Sequence, residues 1–333
     1  MFIGGGIGPF KHPPVHECLT LAALIRSDFK LDPNTTYNKA IQEYHYDTLE
    51  FLRGIVWNDD PACLLFNDTW WLAKPDNYHR GIGRDWAVQF ADGKIWDADC
   101  TKEGWLGHKN IIARSHFGDM QFLHAMADHV DEEPADTKKK IMTWLEVMYK
   151  IAIGKISIAT KLRDVELAGE EEHDRYPLRR LFDAGTRPAD WMTIHTLLTH
   201  DHSYPNVKHD RRAIGICLHL VQDSYARGHC QREILKSEDP KHFGRILNFH
   251  SFRGQDEEAH KKYDFGDREM DDADCSDLDQ FNDMDGCIDA IEQCSKLINS
   301  WYRQTPWEEV HTWLQDEVFE LSPEATPSNT NVE

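Results

Sequence analysis

The segment 217–232, CLHLVQDSYARGHCQR, constrains this chain more than any other stretch. It contains His219, Asp223 and His229 in the pattern His-x3-Asp-x5-His. Residues four positions apart lie on one face of a helix, so the imidazole of His219 and the carboxylate of Asp223 would be neighbours. Such nitrogen and oxygen ligands suit a zinc ion. Gly228 would end or bend the helix and turn His229 towards a second ion.

A second interpretation of this segment is an ordinary buried helix with a structural histidine and a solvated aspartate. One His/Asp pair taken alone favours that interpretation. Two further observations favour a metal site instead. His229 supplies a third side chain of the ligand type, and the His-x3-Asp spacing recurs at His260 and Asp264.

The composition limits the class of partner. The chain has 333 residues, which suffice for one large domain or two modest ones. It carries 37 basic and 58 acidic residues, and the resulting net charge of -21 repels phosphate polyanions at long range. A nucleic-acid binder that depends on counterion release is therefore disfavoured, although a metal site would cancel charge locally.

The sequence predicts neither a signal peptide nor a transmembrane helix. The N-terminus, MFIGGGIGPFKHPPVHE, lacks an apolar run, and no window holds 18 consecutive apolar residues. The eight cysteines form no Cys-x-x-Cys pair, which is typical of buried or free thiols in a reducing compartment. The expected location is the cytoplasm, or the exterior after export without a signal peptide.

Apolar residues at helical spacing predict a mostly α-helical, multi-helix bundle in a single domain over residues 1–322. Besides the central segment, helices are expected from about residue 15 and over 37–55, 111–129, 137–162, 279–302 and 306–321. The charged stretch 164–180 is expected to be an exposed linker, and 267–285, which is rich in aspartate, a solvated face or loop. The tail 323–333 is expected to be disordered.

Residues 64–110 have a different pattern and predict a small β-hairpin insertion or lid. The runs TWWLA, DWAVQFA and KIWDADC alternate or are apolar, and Ala91-Asp92-Gly93-Lys94 is typical of a hairpin turn. Four tryptophans in this insertion would line a substrate mouth or, alternatively, fill a small core. They are Trp70, Trp71, Trp86 and Trp96.

Two other histidine clusters are candidates for metal binding. His116, Asp119 and His124 are spaced by three and five residues within the predicted helix 111–129. The run THDHSYPNVKH, near His195 and ending at His209, also has ligand-type residues, but its proline favours a loop.

The order of these residues along the chain can be compared with a known family. It is an N-terminal His, an Asp after a Trp, a His, the segment His-x3-Asp-x5-His and a final His-x3-Asp. This order resembles the zinc-dependent phospholipase C and single-strand-specific nuclease superfamily, over about residues 16 to 264. The resemblance implies an all-α fold of phospholipase C-like type. It also implies two or three zinc ions that cleave phosphodiester bonds with metal-bound hydroxide.

Carried over residue by residue, the resemblance implies eight metal ligands. Trp57-Asn58-Asp59 resembles the family's Trp-x-Asp, so Asp59 would be a ligand and a candidate general base. His116-Phe117 resembles the family's His-aromatic pair. The implied ligands are Asp59, His116, His219 and Asp223 for one ion, Asp223 with His16 for a neighbouring ion, and His229, His260 and Asp264 for the remaining ion.

Some assignments have alternatives. Asp60 is the alternative to Asp59, His124 to His116, and His250 to His260, although no acid lies four residues after His250. Family members usually supply a mature N-terminal Trp as a zinc ligand, and this chain has no Trp near its start. His12 or Glu17 would have to replace it.

The resemblance implies a zinc-dependent phosphodiester hydrolase, with three alternatives for its role. A phospholipase C should present an apolar or aromatic rim, whereas a nuclease should add a basic groove to aromatic stacking platforms. The chain has the aromatics without an obvious basic stripe, so a phospholipid or another small phosphodiester is favoured over nucleic acid. A non-catalytic helical interaction protein with structural zinc is the third alternative. Arg114, Arg227 and Arg232 would hold phosphate oxygens or pair with carboxylates.

Overall fold

A computed structural model describes residues 14–42, 46–61, 86, 88–91, 111–165, 192–199, 207–236, 239–264, 270 and 272–332. Within these ranges the protein is mostly helical, with one small antiparallel sheet of two strands. The prediction of a mostly α-helical protein is confirmed. None of the helices in these ranges is long and apolar enough to cross a membrane.

The helices and strands are numbered here in chain order. The α-helices are α1 (Val15–Arg26), α2 (Tyr37–Gln42), α3 (Tyr46–Ile55), α4 (Ile111–Phe117), α5 (Pro134–Ala152), α6 (Ile194–Thr199), α7 (His209–Asp223), α8 (Glu257–Tyr263), α9 (Cys287–Tyr302) and α10 (Trp307–Trp313). Single 3-10 turns cover Gln121–His124, Leu162–Asp164 and Leu278–Phe281, and a π-helical turn, Leu314–Val318, continues α10. The strands are β1 (Cys230–Lys236) and β2 (Asp239–Phe249).

Several helices are shorter than the sequence predicts. The expected helix over 111–129 is α4 followed by the 3-10 turn Gln121–His124, after which Ala125 adopts a left-handed φ of 51°. A left-handed residue cannot continue a right-handed helix. Similarly, α5 ends at Ala152, and Gly154 follows with a φ of 71°. The expected helix 37–55 is described as α2 and α3 on either side of residues 43–45.

The sheet lies in a part of the chain where the sequence does not predict one. Strands β1 and β2 directly follow α7, and their pairing runs from Cys230 with Phe249 to Lys236 with Asp239. Charged residues interrupt the alternation in CQREILK and DPKHFGRILNF, which hides the strand pattern. Most of the predicted insertion 64–110 lies outside the described residues. Residues 86 and 88–91 are helical, so the strand expected for DWAVQFA is not formed there.

The C-terminal segment is packed against the protein through residue 332, where a disordered tail is expected. The backbone N–H of Ser328 donates to the carbonyl O of Glu132 at 2.9 Å. The Ser328 hydroxyl donates to the carbonyl O of His129 at 2.6 Å. The backbone N–H of Ser251 donates to the carbonyl O of Asn329 at 2.9 Å. Backbone hydrogen bonds do not require apolar side chains, which explains how a polar segment becomes ordered.

Helix α7 forms the centre of the protein. It packs against α1, α3, α5 and α9, and all of its residues from Arg212 to Asp223 are buried. A helix surrounded on every side can carry polar side chains only where these have partners, because an unpaired polar group in the interior is costly. The last turn of α7, with His219 and Asp223, must therefore be matched by polar groups from its neighbours.

Two glycines allow α3 and α7 to touch. A Cβ atom on Gly54 would lie 2.2 Å from the backbone O of Arg212, and one on Gly215 would lie 2.6 Å from the backbone O of Phe51. Both distances are far below van der Waals contact, so only glycine fits at this crossing. Because the two backbones meet here, His219, one turn after Gly215, reaches the C-terminal end of α3.

The substitution Gly215→Ala should destabilise the protein, because the added methyl group must force α3 away from α7. Overpacking of this kind costs about 1–3 kcal/mol in the free energy of unfolding. Urea denaturation measures the change. The exposed substitution Thr312→Ala on α10 is the control and should stay within about 0.5 kcal/mol of the wild type. Equal stability of Gly215→Ala and wild type would contradict the close helix crossing.

The substitution Ser328→Ala should lower the melting temperature, because it removes the acceptor of the Glu132 N–H and the donor to the His129 carbonyl. Leaving such buried groups unpaired costs about 1–3 kcal/mol. Thermal denaturation followed by circular dichroism measures the effect. Ser300→Ala on α9 is the matched control, since that hydroxyl bonds only within its own helix. An unchanged melting temperature in Ser328→Ala would count against the packed tail.

Candidate metal centre

Three groups of histidine and aspartate side chains lie together in the interior described by the structure. Within each group the ligand-type atoms lie within 4.8 Å of one another, and all the residues are buried. The first group is His16, His219 and Asp223, the central group is Asp59, His124 and His219, and the third group is His229, His260 and Asp264.

Several parts of the chain bring these side chains together. The last turn of α7 carries His219 and Asp223, whose Nε2 and Oδ2 atoms are 2.8 Å apart, as expected for one helical face. The other residues are His16 in the first turn of α1, Asp59 in the turn after α3, His124 in the 3-10 turn before α5, His229 between α7 and β1, and His260 and Asp264 at the end of α8.

Asp223 lies between the first and central groups. Its Oδ1 atom is 3.3 Å from Nε2 of His16, and its Oδ2 atom is 3.2 Å from Nδ1 of His124. The same Oδ2 atom lies 3.5 Å from Nδ1 of His229. The two oxygens thus face different groups, which is the arrangement that a carboxylate bridging two ions needs.

The third group adjoins the other two through His229. Its Nε2 atom lies 3.3 Å from Oδ1 of Asp264, while Nε2 of His260 lies 3.8 Å from Oδ2 of the same carboxylate. The carboxylate of Asp264 therefore faces both imidazoles of its group. The predicted side chains from α7 and α8 are brought together in space although about forty residues separate them.

Four imidazoles are oriented by a carbonyl-type oxygen behind the ring. Nδ1 of His219 lies 2.5 Å from the carbonyl O of Ile55, and Nδ1 of His229 lies 2.6 Å from the carbonyl O of His124. Nδ1 of His16 lies 2.7 Å from Oε1 of Gln222, and Nδ1 of His260 lies 2.7 Å from Oε1 of Gln255. Such an oxygen can only accept, so each ring carries its proton on Nδ1 and presents a lone pair at Nε2. Zinc-binding histidines are typically held in this way by their outer partners.

Several ligand-type atoms are buried and make no hydrogen bond to the described residues. They are Asp59 Oδ2, His124 Nε2, Asp223 Oδ1 and His229 Nε2. Burying a polar atom without a partner costs roughly 1–3 kcal/mol, and more for a charged group. Cations bound among these atoms would remove that cost, so the side chains present fit zinc, which prefers imidazole and carboxylate ligands.

Burial also sets the protonation of the metal-free centre. Loss of hydration raises the pKa of Asp59 to about 8 and that of Asp223 to about 7. The same effect lowers the pKa of His16 to about 4 and lowers the pKa of His219. At neutral pH the rings are therefore neutral, the form that binds a metal, while the carboxyl groups retain protons that binding would release.

His124 belongs to the central group, whereas the predicted ligand His116 lies beside it. Nε2 of His116 is 3.9 Å from Oδ1 of Asp59, and its Nδ1 atom is 2.7 Å from the carbonyl O of Ile112. The rings of His116 and His124 are 4.8 Å apart. Helix α4 ends at Phe117, so the 3-10 turn after it carries His124 inwards, which a continuous helix would not do.

The remaining alternatives lie outside the three groups. Asp60, His250 and Glu17 are buried but belong to none of them. The ring of His250 instead contacts the tail, with Nδ1 3.1 Å from Oδ1 of Asn329. His12 lies outside the described residues.

The histidines of the run THDHSYPNVKH and its neighbour lie apart from the three groups. His195 and His209 form a pair, with Nδ1 of the first 2.8 Å from Nε2 of the second. His200 and His202 lie outside the described residues.

Four partly exposed aromatic rings, Trp86, Phe90, Phe117 and Phe252, form an aromatic wall beside the three groups. The ring of Phe90 is 4.9 Å from that of His116, and the ring of Phe252 is 4.8 Å from that of His260. The Nε1–H of Trp86 donates to the carbonyl O of Asp59 at 2.9 Å. Of the four tryptophans expected at a substrate mouth, Trp86 is the one within the described residues.

The three arginines near the ligand segments have partners within the fold. Arg114 pairs with Asp119 at 2.7 Å, and Arg227 pairs with Asp285 at 3.1 Å. Arg232 donates to three backbone carbonyls and lies over an aromatic ring. These contacts favour a structural role over phosphate binding.

Two glutamines that contact the centre were not predicted. Gln222 and Gln255 accept hydrogen bonds from imidazoles of the first and third groups. Gln222 directly precedes Asp223, and this adjacency is the signal that the sequence offers for it. Gln255 lies five residues before His260 and carries no comparable signal.

No protein-family model, curated protein or solved structure matches the chain. The chemistry of the three groups is therefore the basis for assigning a function.

The metal-free protein should lose stability as the pH rises from 7.5 to 8.5. Asp59 and Asp223, with folded-state pKa values of about 8 and about 7 against an ordinary value of 3.8, keep protons that the unfolded chain has released. The folded state then binds more protons, so the free energy of unfolding falls with pH. Histidines with lowered pKa values give the opposite slope around and below their ordinary value of 6.5, so the measurement begins a full pH unit above that value.

Urea denaturation in the presence of a chelator, at half-unit steps of pH, measures this decline. Asp59→Asn should reduce the decline because the amide does not ionise, whereas the exposed substitution Asp316→Asn should leave it unchanged. A flat profile for the wild type between pH 7.5 and 8.5 would contradict the raised pKa values of these buried carboxyl groups.

Proposed function

We propose that the chain is a zinc-dependent phosphodiester hydrolase with two or three zinc ions, and that it acts on a phospholipid or another small phosphodiester, as a phospholipase C does. The observation that carries this proposal is that three buried groups lie next to one another and that two of them share His219. Shared ligands place ions next to one another, and adjacent ions are typical of enzymes that cleave phosphodiesters.

The residue types support zinc over other ions. The three groups contain imidazoles and carboxylates, and the rings present Nε2 lone pairs towards the carboxylates. Magnesium and calcium prefer sites made of oxygen ligands, whereas zinc accepts nitrogen and oxygen together. Bound zinc ions would lower the pKa of a coordinated water to about 7 and clamp the oxygens of a phosphodiester.

Asp59 is placed to move a proton near neutral pH. Its Oδ1 atom lies 3.9 Å from Nε2 of His116 and 4.0 Å from Nε2 of His124, at the centre of the imidazoles. Its Oδ2 atom makes no hydrogen bond to the described residues. Zinc ions bound beside it would displace the proton that the buried carboxyl group holds in the metal-free protein, and Oδ2 of the ionised carboxylate would then accept a proton from an attacking water.

The surroundings support a small phosphodiester over a long polyanion. The net charge of -21 repels nucleic acid at a distance, and the arginines near the centre are engaged in the fold. The aromatic wall would contact the apolar part of a substrate. A single-strand-specific nuclease is the second candidate, because the same rings would stack on bases. The third is a non-catalytic protein with structural zinc, in which every coordination position is closed.

The wild-type protein should contain two or three zinc ions by elemental analysis, and His219→Ala should contain fewer. This residue is shared by two groups, so its loss should remove at least one ion. His311→Ala on α10 is the matched histidine control and should keep the full content. Absence of metal from the wild type, or an unchanged content in His219→Ala, would contradict the proposed centre.

Activity is measured as release of diacylglycerol from phosphatidylcholine vesicles and as cleavage of single-stranded DNA, each with and without chelator. We expect diacylglycerol release that chelator abolishes, a rate about 10²–10⁴-fold lower in Asp59→Asn, and wild-type activity in His311→Ala. Cleavage of DNA without release of diacylglycerol would favour the nuclease. Bound zinc without turnover of either substrate would favour the structural role.

A further inference from the structure

We infer that Gln222 and Gln255 are positioning residues, and that each uncharged carboxamide orients one zinc-binding imidazole. This inference rests on the proposed metal centre. Oε1 of Gln222 lies 2.7 Å from Nδ1 of His16, and Oε1 of Gln255 lies 2.7 Å from Nδ1 of His260. One glutamine thus serves the first group and the other serves the third group.

The amide nitrogen of Gln255 determines which end of its carboxamide faces the ring. Nε2 of Gln255 donates to the carbonyl O of Gly228 at 3.0 Å. A carbonyl can only accept, so the nitrogen of Gln255 must face Gly228 and its oxygen must face His260. The His260 ring then carries its proton on Nδ1 and directs the lone pair of Nε2 towards Asp264.

Gln222 has the same arrangement between two helices. Its Nε2 atom donates to the hydroxyl of Thr20 at 2.9 Å, and Thr20 lies one turn after His16 on α1. The glutamine is fully buried and directly precedes Asp223 on α7. It therefore joins His16 and Asp223, two residues of the same group, through one side chain.

Gln255 also joins two residues of one group, because Gly228 directly precedes His229. The segments are in contact, since a Cβ atom on Gly228 would lie 3.2 Å from Nδ1 of His260. The glutamine therefore sets both the orientation of the His260 ring and its distance from His229. A change at Gln255 should alter the geometry of the third group while leaving the first group intact.

The neutrality of these partners has a physical reason. Carboxylates commonly hold zinc-binding imidazoles from behind. The centre already contains three buried carboxylates, Asp59, Asp223 and Asp264, in a chain with a net charge of -21. A further buried carboxylate would repel them, whereas a carboxamide provides the same acceptor without charge.

Titration of the metal-free full-length chain with cobalt(II), followed by visible absorption, tests this inference. Gln255→Met removes the acceptor at similar size. It should lower the affinity for one cobalt ion by about 10- to 100-fold and change the absorption spectrum of that ion alone. Gln255→Glu keeps the acceptor but adds a buried charge, so it should recover part of the affinity and should lower the stability of the metal-free chain in urea. The exposed substitution Gln315→Met is the matched control and should behave as the wild type. Gln222→Met should lower the affinity for a different cobalt ion.

Three results would overturn the inference. Wild-type affinity for every ion in Gln255→Met would show that the acceptor is not needed, while leaving the metal centre itself in place. An equal loss in Gln255→Glu and Gln255→Met would show that size or packing, rather than hydrogen bonding, is responsible. A wild-type chain that binds neither cobalt nor zinc would overturn the inference together with the proposed function.

Discussion

The burial of imidazoles and carboxylates at the end of α7 is the constraint on which the rest of the structure depends. His219 and Asp223 are fully buried, and groups of this kind are stable in an interior only with partners. A backbone carbonyl at the end of α3 is the partner of His219. Carboxamides on α7 and before α8 are the partners of two nearby imidazoles, His16 and His260. Each acceptor leaves a lone pair on Nε2 of an imidazole, so the same contacts that compensate for burial would also prepare that ring to bind a metal ion.

The packing around α7 determines how close these ligands come. The glycine crossing of α3 and α7 brings the end of α3 against His219. The hairpin of β1 and β2 begins one residue after His229, and the C-terminal tail pairs with β2 and with the loop that follows His124. Secondary structure that carries no ligand therefore still holds ligand segments in place. The tail does so through its backbone, which is why its polar composition is compatible with order.

A functional interpretation follows from how the groups share residues. Structural zinc is typically held by four protein ligands in a closed site. Here two groups share an imidazole and face opposite oxygens of one carboxylate, which favours adjacent ions. The aromatic wall adds an apolar surface beside His116 and His260, which suits a substrate with both a phosphodiester and an apolar part. The acidic character of the chain is consistent with this assignment, since the ions would supply the positive charge that its side chains lack near the centre.

Local patterns in the sequence determined the helical class and the shared face of His219 and Asp223, because the periodicity of a helix sets both directly. The resemblance of the residue order to a known family implied seven of the eight side chains that lie in the three groups. Tertiary structure decided that His124 lies in the central group with His116 beside it, because their positions depend on where α4 ends and how the following turn enters the interior. It also decided the hairpin after α7, the packed tail and the roles of Gln222 and Gln255. These features arise from contacts between residues far apart in the chain, and no local pattern records such contacts.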